Sequence, residues 1–113
     1  MLILNPTAHT RPVLYLVIPC YNEEKVLPIT APLFLTKINA LISVDLISSD
    51  SRILFVNDGS KDRTWNIIQT LSKESPYYCG ISLSRNRGHQ NALLAGLLTA
   101  VNYADMIVSM DAD

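Results

Sequence analysis

Four short runs rich in apolar residues alternate along the chain with stretches of helical periodicity. The runs are VLYLVI at 13–18, RILFV at 52–56, GISLS at 80–84 and MIVSM at 106–110. The second run is too continuously apolar for a strand with one solvated face, so it predicts a strand buried on both faces of a sheet. Pro19 cannot donate to a strand ladder, so we expect the first strand to end before it.

Between these runs, apolar residues recur at spacings of three and four, which predicts three helices. The first covers residues 28–44, and Pro32 is expected to delay the start of its regular part. The second follows Asp62, which we expect to be its N-cap, and ends before Pro76. The third covers residues 90–103 and is apolar on most of its circumference, which predicts that it is well buried.

The alternation of strand and helix predicts an α/β fold, with a parallel sheet, right-handed crossovers and the strand order 3-2-1-4. Residues 1–12 contain Pro6 and Pro12 and are predicted to form an irregular N-terminal arm before a domain at 13–113. Because the sequence ends directly after the fourth strand, we expect it to be a piece of a longer protein. The fourth strand would then be an exposed edge, through which a homodimer can form.

Composition narrows the class of protein further. With 113 residues, 49% hydrophobic and 17% charged, the chain has the composition of one globular domain. Its lysines and arginines are scattered, which argues against nucleic acid as a partner. Cys20 and Cys79 match no metal-binding spacing and are predicted to be free thiols. No apolar stretch reaches the roughly 20 residues of a membrane span, and no signal peptide is recognisable, so we expect a cytoplasmic location.

The loops after the strands exclude two nucleotide-binding motifs and favour a third kind of site. PCYNEE, after the first strand, lacks the glycines of a dinucleotide-binding turn, and no P-loop sequence is present. Asp58, Asp111 and Asp113 all follow strands. The last two are two residues apart, so at about 3.3 Å per residue both carboxylates can reach one ligand. Oxygen ligands of this kind suit Mg²⁺ or Mn²⁺.

Four motifs, PCYNEE, VNDGSKDRT, LSRNRGHQNALLAG and MDAD, follow the four predicted strands in order. Together they resemble the inverting glycosyltransferases with the GT-A fold, in particular the branch that includes dolichyl-phosphate mannose synthase and bacterial polyprenyl-phosphate sugar transferases. The resemblance extends over residues 13–113. It implies a Rossmann-like GT-A half domain that binds a nucleoside-diphosphate sugar.

The resemblance also implies the site. Its nucleotide-sugar-binding residues would be Pro19, Tyr21, Glu23, Asp58, Arg85, Gly88, Asp111, Ala112 and Asp113. Asp58 would accept a hydrogen bond from the base. Asp111 and Asp113 would contact the ribose and the diphosphate and would hold its Mg²⁺ or Mn²⁺. A UDP-sugar is favoured over a GDP-sugar as the donor, and a polyprenyl phosphate or a cell-envelope glycan is the expected acceptor.

In such enzymes the catalytic base and the acceptor-binding segments lie beyond the Asp-X-Asp motif. We therefore expect no catalytic residue within these 113 residues and no sugar transfer by them alone, and we expect the full-length protein at the cytoplasmic face of a membrane. Two alternatives stay open. A non-catalytic nucleotide-sugar-binding module would differ only beyond Asp113, whereas a sugar-nucleotide pyrophosphorylase would need a glycine-rich first loop, which PCYNEE lacks.

Overall fold

A computed structural model describes residues 2–4 and 11–113, and these form one sheet of five strands with helices on both faces. The strands are β1 (Leu2–Leu4), β2 (Leu14–Cys20), β3 (Arg52–Asp58), β4 (Tyr78–Leu83) and β5 (Met106–Ser109). The helices are α1 (Leu27–Ser43), α2 (Thr64–Glu74) and α3 (His89–Ala100). The predicted α/β class is confirmed.

The strands lie in the order β1-β5-β2-β3-β4. β2 is parallel to both β3 and β5, and β3 is parallel to β4, whereas β1 is antiparallel to β5. In the numbering of the four predicted strands the parallel part reads 3-2-1-4. Because these four strands run the same way, their carboxyl ends and the loops that follow them share one edge of the sheet.

Strand β1 corrects two expectations. Residues 2–4, predicted to be irregular, pair with β5 in the register Leu2↔Val108, and residues 5–10 of the predicted arm lie outside the described residues. The fourth predicted strand is therefore not an edge strand, and the proposed homodimer cannot form through β5 while β1 is paired there. A run of three apolar residues beside Asn5 and Pro6 is too short to signal a strand by its pattern alone.

The two faces of the sheet are covered by different helices. On one face, Ile18 and Phe55 pack in a buried cluster with residues of α1 and α2. On the other face, Val17 and Val56 pack with small residues of α3 such as Ala92. Because successive strand residues point to opposite faces, a strand covered on both sides needs apolar residues at every position, which explains the continuous run in β3.

Several element ends differ from the prediction. β2 continues through Pro19 to Cys20, because Pro19 pairs with Val56 of β3 and lies beyond Val17, the last β2 residue paired with β5. The backbone nitrogen of Pro19, which has no hydrogen to donate, faces the β5 side of the strand. On this side the Val17 carbonyl accepts the Met110 N–H. Pro19 therefore interrupts no ladder.

The helix ends also differ. α1 begins at Leu27 and runs through Pro32, so the expected late start was wrong. α2 begins at Thr64 with Arg63 at the N-cap, so Asp62 is not the N-cap residue. α3 ends at Ala100 rather than at residue 103, and the expectation that it is well buried was wrong, because Leu94 and Leu98 are exposed. Among the residues with a described placement, no helix is long and apolar enough to cross a membrane.

Candidate functional site

A cleft of about 230 Å³ opens at the carboxyl edge of the parallel strands. It is lined by Pro19, Cys20, Tyr21, Glu23, Asp58, Asn86, Gly88, His89, Ala92, Asp111, Ala112 and Asp113. Every residue that the sequence analysis assigned to the nucleotide site is in this set except Arg85. The topology thus brings residues from four separate loops onto one depression at the carboxyl edge of the sheet.

Asp58 is the last residue of β3 and forms part of the buried wall of the cleft. Only 3% of its surface is exposed. Its Oδ1 accepts a hydrogen bond of 2.7 Å from the backbone N–H of Arg87, in the loop between β4 and α3. Among the described residues, none donates a hydrogen bond to the other oxygen, Oδ2. The carboxylate therefore orders the loop with one oxygen and keeps acceptor capacity for a ligand on the other.

Gly59 shows why the sequence reads Asn-Asp-Gly at this turn. Its φ is +64°, and a Cβ atom there would lie 2.3 Å from the backbone carbon of Arg85 and 2.3 Å from the Asn86 nitrogen. Any other residue would be strained by the φ and would also push the β4–α3 loop away. The glycine therefore lets the loop approach Asp58 closely enough for the Arg87 hydrogen bond.

The β4–α3 loop contributes Gly88 to the cleft but not Arg85. Gly88 is the N-cap of α3 and has a φ of +89°. A Cβ atom there would meet no atom within 4 Å, so the backbone conformation, not space, favours glycine. Arg85 is exposed and supplies its backbone to the Gly59 contact. Its assignment to the nucleotide site stays a prediction.

The Asp111–Asp113 segment follows β5 and alternates in burial. Ala112 is 2% exposed and packs into the core on the α1–α2 side, whereas Asp111 and Asp113 are exposed. The buried alanine anchors the segment while the two carboxylates on either side line the cleft. A second depression of about 200 Å³ shares Pro19, His89 and Asp111 with it and extends the concave surface beside β5.

Glu23 lies within electrostatic range of Asp113 and Asp62. Burial raises the pKa of the Glu23 carboxyl above its ordinary value, and the charges of Asp113 and Asp62 raise this pKa further. The cleft wall around Glu23 therefore carries an excess of negative charge. A bound cation would relieve this repulsion, whereas a bare anion would be disfavoured near Glu23.

Sequence reasoning missed a hydrogen-bond network that holds the first loop, residues 20–24, to the segment after β3. Three consecutive backbone N–H groups of this loop donate to three side chains, a set that we call the clamp (Ser60, Asp62 and Thr64). The pairs are Asn22 N–H to Ser60 Oγ at 2.9 Å, Glu23 N–H to Thr64 Oγ1 at 2.8 Å and Glu24 N–H to Asp62 Oδ2 at 3.3 Å.

One further hydrogen bond runs in the opposite direction, from a backbone N–H after β3 to a side chain of the first loop. Asn22 lies in the left-handed region with a φ of 53°, and its Oδ1 accepts the Lys61 N–H at 2.9 Å. Asn tolerates this backbone conformation better than most residues. The only sequence signal for the network is the density of short oxygen-bearing side chains in DGSKDRT. Nothing in the sequence shows that their partners lie about 40 positions earlier.

Cys20, Asn86, His89 and Ala92 also line the cleft and were not assigned to it. They lie beside assigned residues in the same loops or on the first turn of α3. Burial, with a smaller contribution from Glu23, raises the pKa of the Cys20 thiol to about 12, which disfavours the nucleophilic thiolate form.

The architecture and the site together define an α/β domain with an acidic cleft at the carboxyl edge of its parallel strands. The family model of glycosyl transferase family 2 matches residues 15–113. The chain therefore belongs to glycosyl transferase family 2.

Curated relatives agree with this family. The chain is 48% identical over 104 residues to the uncharacterized glycosyltransferase YkoT of Bacillus subtilis, covering 92% of this chain and 31% of that protein. It is 39% identical over 98 residues to the prophage bactoprenol glucosyl transferase homolog of Escherichia coli, covering 87% and 29%. It is 36% identical over 104 residues to the undecaprenyl-phosphate 4-deoxy-4-formamido-L-arabinose transferase of Shewanella sediminis, covering 87% and 28%. The chain thus spans less than a third of each relative.

Solved structures share the fold. TarS of S. aureus, residues 1–349, in complex with UDP is 21% identical with a TM-score of 0.63, and the match covers 89% of this chain and 27% of that chain. The mannosyltransferase PcManGT from Pyrobaculum calidifontis, in complex with GDP-Man and Mn²⁺, is 24% identical with a TM-score of 0.58, covering 98% and 30%. These likenesses establish the GT-A fold of the chain.

Proposed function

We propose that this chain is the donor-binding part of a glycosyltransferase that takes a sugar from a nucleoside diphosphate. The observation that carries this proposal is the cleft itself, which places a buried carboxylate, Asp58, and an exposed pair, Asp111 and Asp113, on one depression at the carboxyl edge. A nucleoside diphosphate has a base with N–H donors at one end and charged phosphates at the other. The two acid sites match these two ends.

In this proposal Asp58 reads the base, and Tyr21 and Glu23 form the wall beside it. Uracil is the favoured base. It offers a single ring N–H, which needs one acceptor oxygen, and Asp58 has Oδ2 for it while Oδ1 holds the Arg87 N–H. Guanine presents two adjacent donors and is best met by both oxygens of one carboxylate. Pairing guanine would therefore compete with the bond that orders the β4–α3 loop.

Asp111 and Asp113 are proposed to hold a divalent cation together with the diphosphate. The residues fit such an ion, because both are exposed carboxylates on the cleft. Within the described part of the chain no group of three His, Cys, Asp or Glu side chains is placed to hold a metal by itself. Mg²⁺ and Mn²⁺ sites commonly use one or two carboxylates plus phosphate oxygens and water. A cation bound here would neutralise the charge that grows on the departing diphosphate.

The acceptor is proposed to be a polyprenyl phosphate, and the transfer to proceed with inversion. The support for this acceptor comes from two relatives, whose names specify a bactoprenol glucosyl transferase homolog and an undecaprenyl-phosphate sugar transferase. In this proposal the general base that deprotonates the acceptor comes from a segment that follows Asp113. In the same proposal, these 113 residues bind and orient the donor.

The base assignment is tested by titrating UDP and GDP into the parent protein and Asp58→Asn by calorimetry. The amide keeps the shape of Asp58 and can still accept the Arg87 N–H, but it turns an NH₂ group towards the base. We expect UDP to bind more tightly than GDP in the parent, and Asp58→Asn to weaken UDP binding by about ten- to a hundredfold, with or without metal. Asp50→Asn, an exposed change before β3, is the control. Tighter binding of GDP would contradict the uracil assignment.

The cation assignment is tested with Asp113→Ala in the same titrations, each with Mn²⁺ and with a chelator. Asp113 contributes to the ion rather than to the base, so this variant is expected to lose the gain in UDP affinity that Mn²⁺ gives the parent. Its affinity in chelator should stay near that of the parent. If Asp58→Asn and Asp113→Ala lose UDP affinity equally, both with Mn²⁺ and with chelator, the support for two separate sites is removed.

A further inference from the structure

The first loop, which supplies Cys20, Tyr21 and Glu23 to the cleft, is ordered by the clamp rather than by its own contacts. Its internal backbone hydrogen bonds come from the Glu23 carbonyl, which accepts the N–H groups of Val26 and Leu27 at the start of α1. The N–H groups at 22–24 point instead to the clamp. The position of this cleft wall therefore depends on side chains of another loop.

Asp62 is the centre of the clamp. Its Oδ1 accepts both the backbone N–H and the hydroxyl of Thr64, and its Oδ2 accepts the Glu24 N–H. Because the Thr64 hydroxyl donates a hydrogen bond to Asp62, the lone pairs of Thr64 Oγ1 remain available to accept the Glu23 N–H. Thr64 is fully buried, so no water replaces this orientation. One carboxylate thus controls two of the three hydrogen bonds that hold the wall.

We infer that Asp62 is a positioning residue of the donor site, which holds Tyr21 and Glu23 in their binding positions without contacting the ligand. Asp62 does not line the cleft. The inference rests on the proposed function for its ligand, a nucleoside diphosphate. This positioning role is separate from the local role of Asp62 at the start of α2, where its Oδ1 accepts the backbone N–H of Thr64.

The clamp is tested first without ligand, by hydrogen exchange of the amides at 22–24. Asp62→Ala and Thr64→Val should each speed exchange in this loop, whereas Thr64→Ser, which keeps the hydroxyl, should retain the slow exchange of the parent. Asp105→Asn is the matched control. Asp105 is also buried, and its carboxylate also accepts a backbone N–H, from Val13 at 2.9 Å, but it lies at the opposite edge of the sheet.

Binding of UDP with Mn²⁺ is then measured by calorimetry on the same four variants. Asp62→Ala and Thr64→Val should weaken binding by roughly tenfold. Thr64→Ser should restore the parent affinity, and Asp105→Asn should lower the thermal midpoint without changing the affinity. A parent that binds no UDP would overturn the proposed function. If the parent binds UDP and Asp62→Ala and Thr64→Val bind it equally tightly, only the positioning role is overturned.

Discussion

At the scale of single residues, burial beside like charges favours the protonated form of one side chain in the cleft wall, Glu23. The pKa of Glu23 is raised, first by burial and then by Asp113 and Asp62. The folded state therefore binds this proton more tightly than the unfolded chain does. The resulting contribution to stability is complete below the unfolded pKa of about 4.3 and is lost as the pH rises through the higher folded pKa.

Replacing Glu23 with Gln removes this charge and is expected to raise the free energy of unfolding at pH 7. Because the carboxyl is protonated in both states at low pH, the gain should disappear near pH 3. Urea denaturation of parent and variant across this range checks the prediction. A gain of equal size at pH 3 and pH 7 would show that packing, not charge, is responsible.

The two thiols give a second prediction at the residue scale. Burial raises the pKa of Cys20 to about 12 and that of Cys79 to about 11. The thiolate is the reactive form, so both cysteines should react with a disulfide reagent at pH 8 at least about a hundredfold more slowly in the folded protein than in urea. Rapid reaction of Cys20 or Cys79 in the folded state would contradict, respectively, the full burial of Cys20 or the partial burial of Cys79.

At the scale of elements, α3 packs closely on the sheet because residue 96 is glycine. A Cβ atom at Gly96 would lie 2.4 Å from Val17 Cγ1 and 2.9 Å from Val56 Cγ2. Val17 and Val56 are both fully buried, so they have little space to move. Steric contact and helix propensity therefore make opposite predictions for a substitution at this position.

Propensity alone predicts that Gly96→Ala stabilises the helix by about 1 kcal/mol. Overpacking a filled core costs about 1–3 kcal/mol, so we expect a net destabilisation of roughly 1 kcal/mol. Leu98→Ala, on the exposed side of α3, is the control and should change stability by less than about 1 kcal/mol. Thermal and urea denaturation measure both variants. A more stable Gly96→Ala would mean that α3 can move away from the sheet.

At the scale of the whole molecule, the sheet has two edges with different protection. β4 forms one edge, and β1 covers β5 at the other through the pairs Leu2↔Val108, Ile3↔Ile107 and Leu4↔Met106. An uncovered β5 would present its free ladder groups to other chains. A short N-terminal strand thus blocks the edge at which the sequence suggested a dimer.

Deleting residues 1–10 is expected to expose β5 and to promote concentration-dependent dimers or larger species. Sedimentation velocity of the full and shortened chains at several concentrations measures this. As a control, Leu2→Lys places a charge on an exposed residue of β1 and should leave the backbone pairing in place. A shortened chain that stays monomeric would show that β5 needs no cover.

The sequence by itself determined the succession of parallel strands and helices along the chain and the acids that follow three of the four predicted strands. Continuous apolar runs specify buried strands, and strands that run in parallel must deliver Asp58 and Asp113 to the same edge. Such inferences use neighbours in the chain or the direction of a strand, and both are local properties that the sequence carries.

Tertiary structure alone decided the contacts between distant segments. The pairing of β1 with β5, the hydrogen bond from Arg87 to Asp58 and the clamp on the first loop each join residues 29 or more positions apart. Strand pairing or single short side chains make these contacts, and no periodicity in the chain marks them. Asp62 shows the difference most directly. Its local pattern indicated a helix cap, whereas the folded chain brings Glu24 to its second oxygen, because a carboxylate accepts whatever donors the fold places beside it.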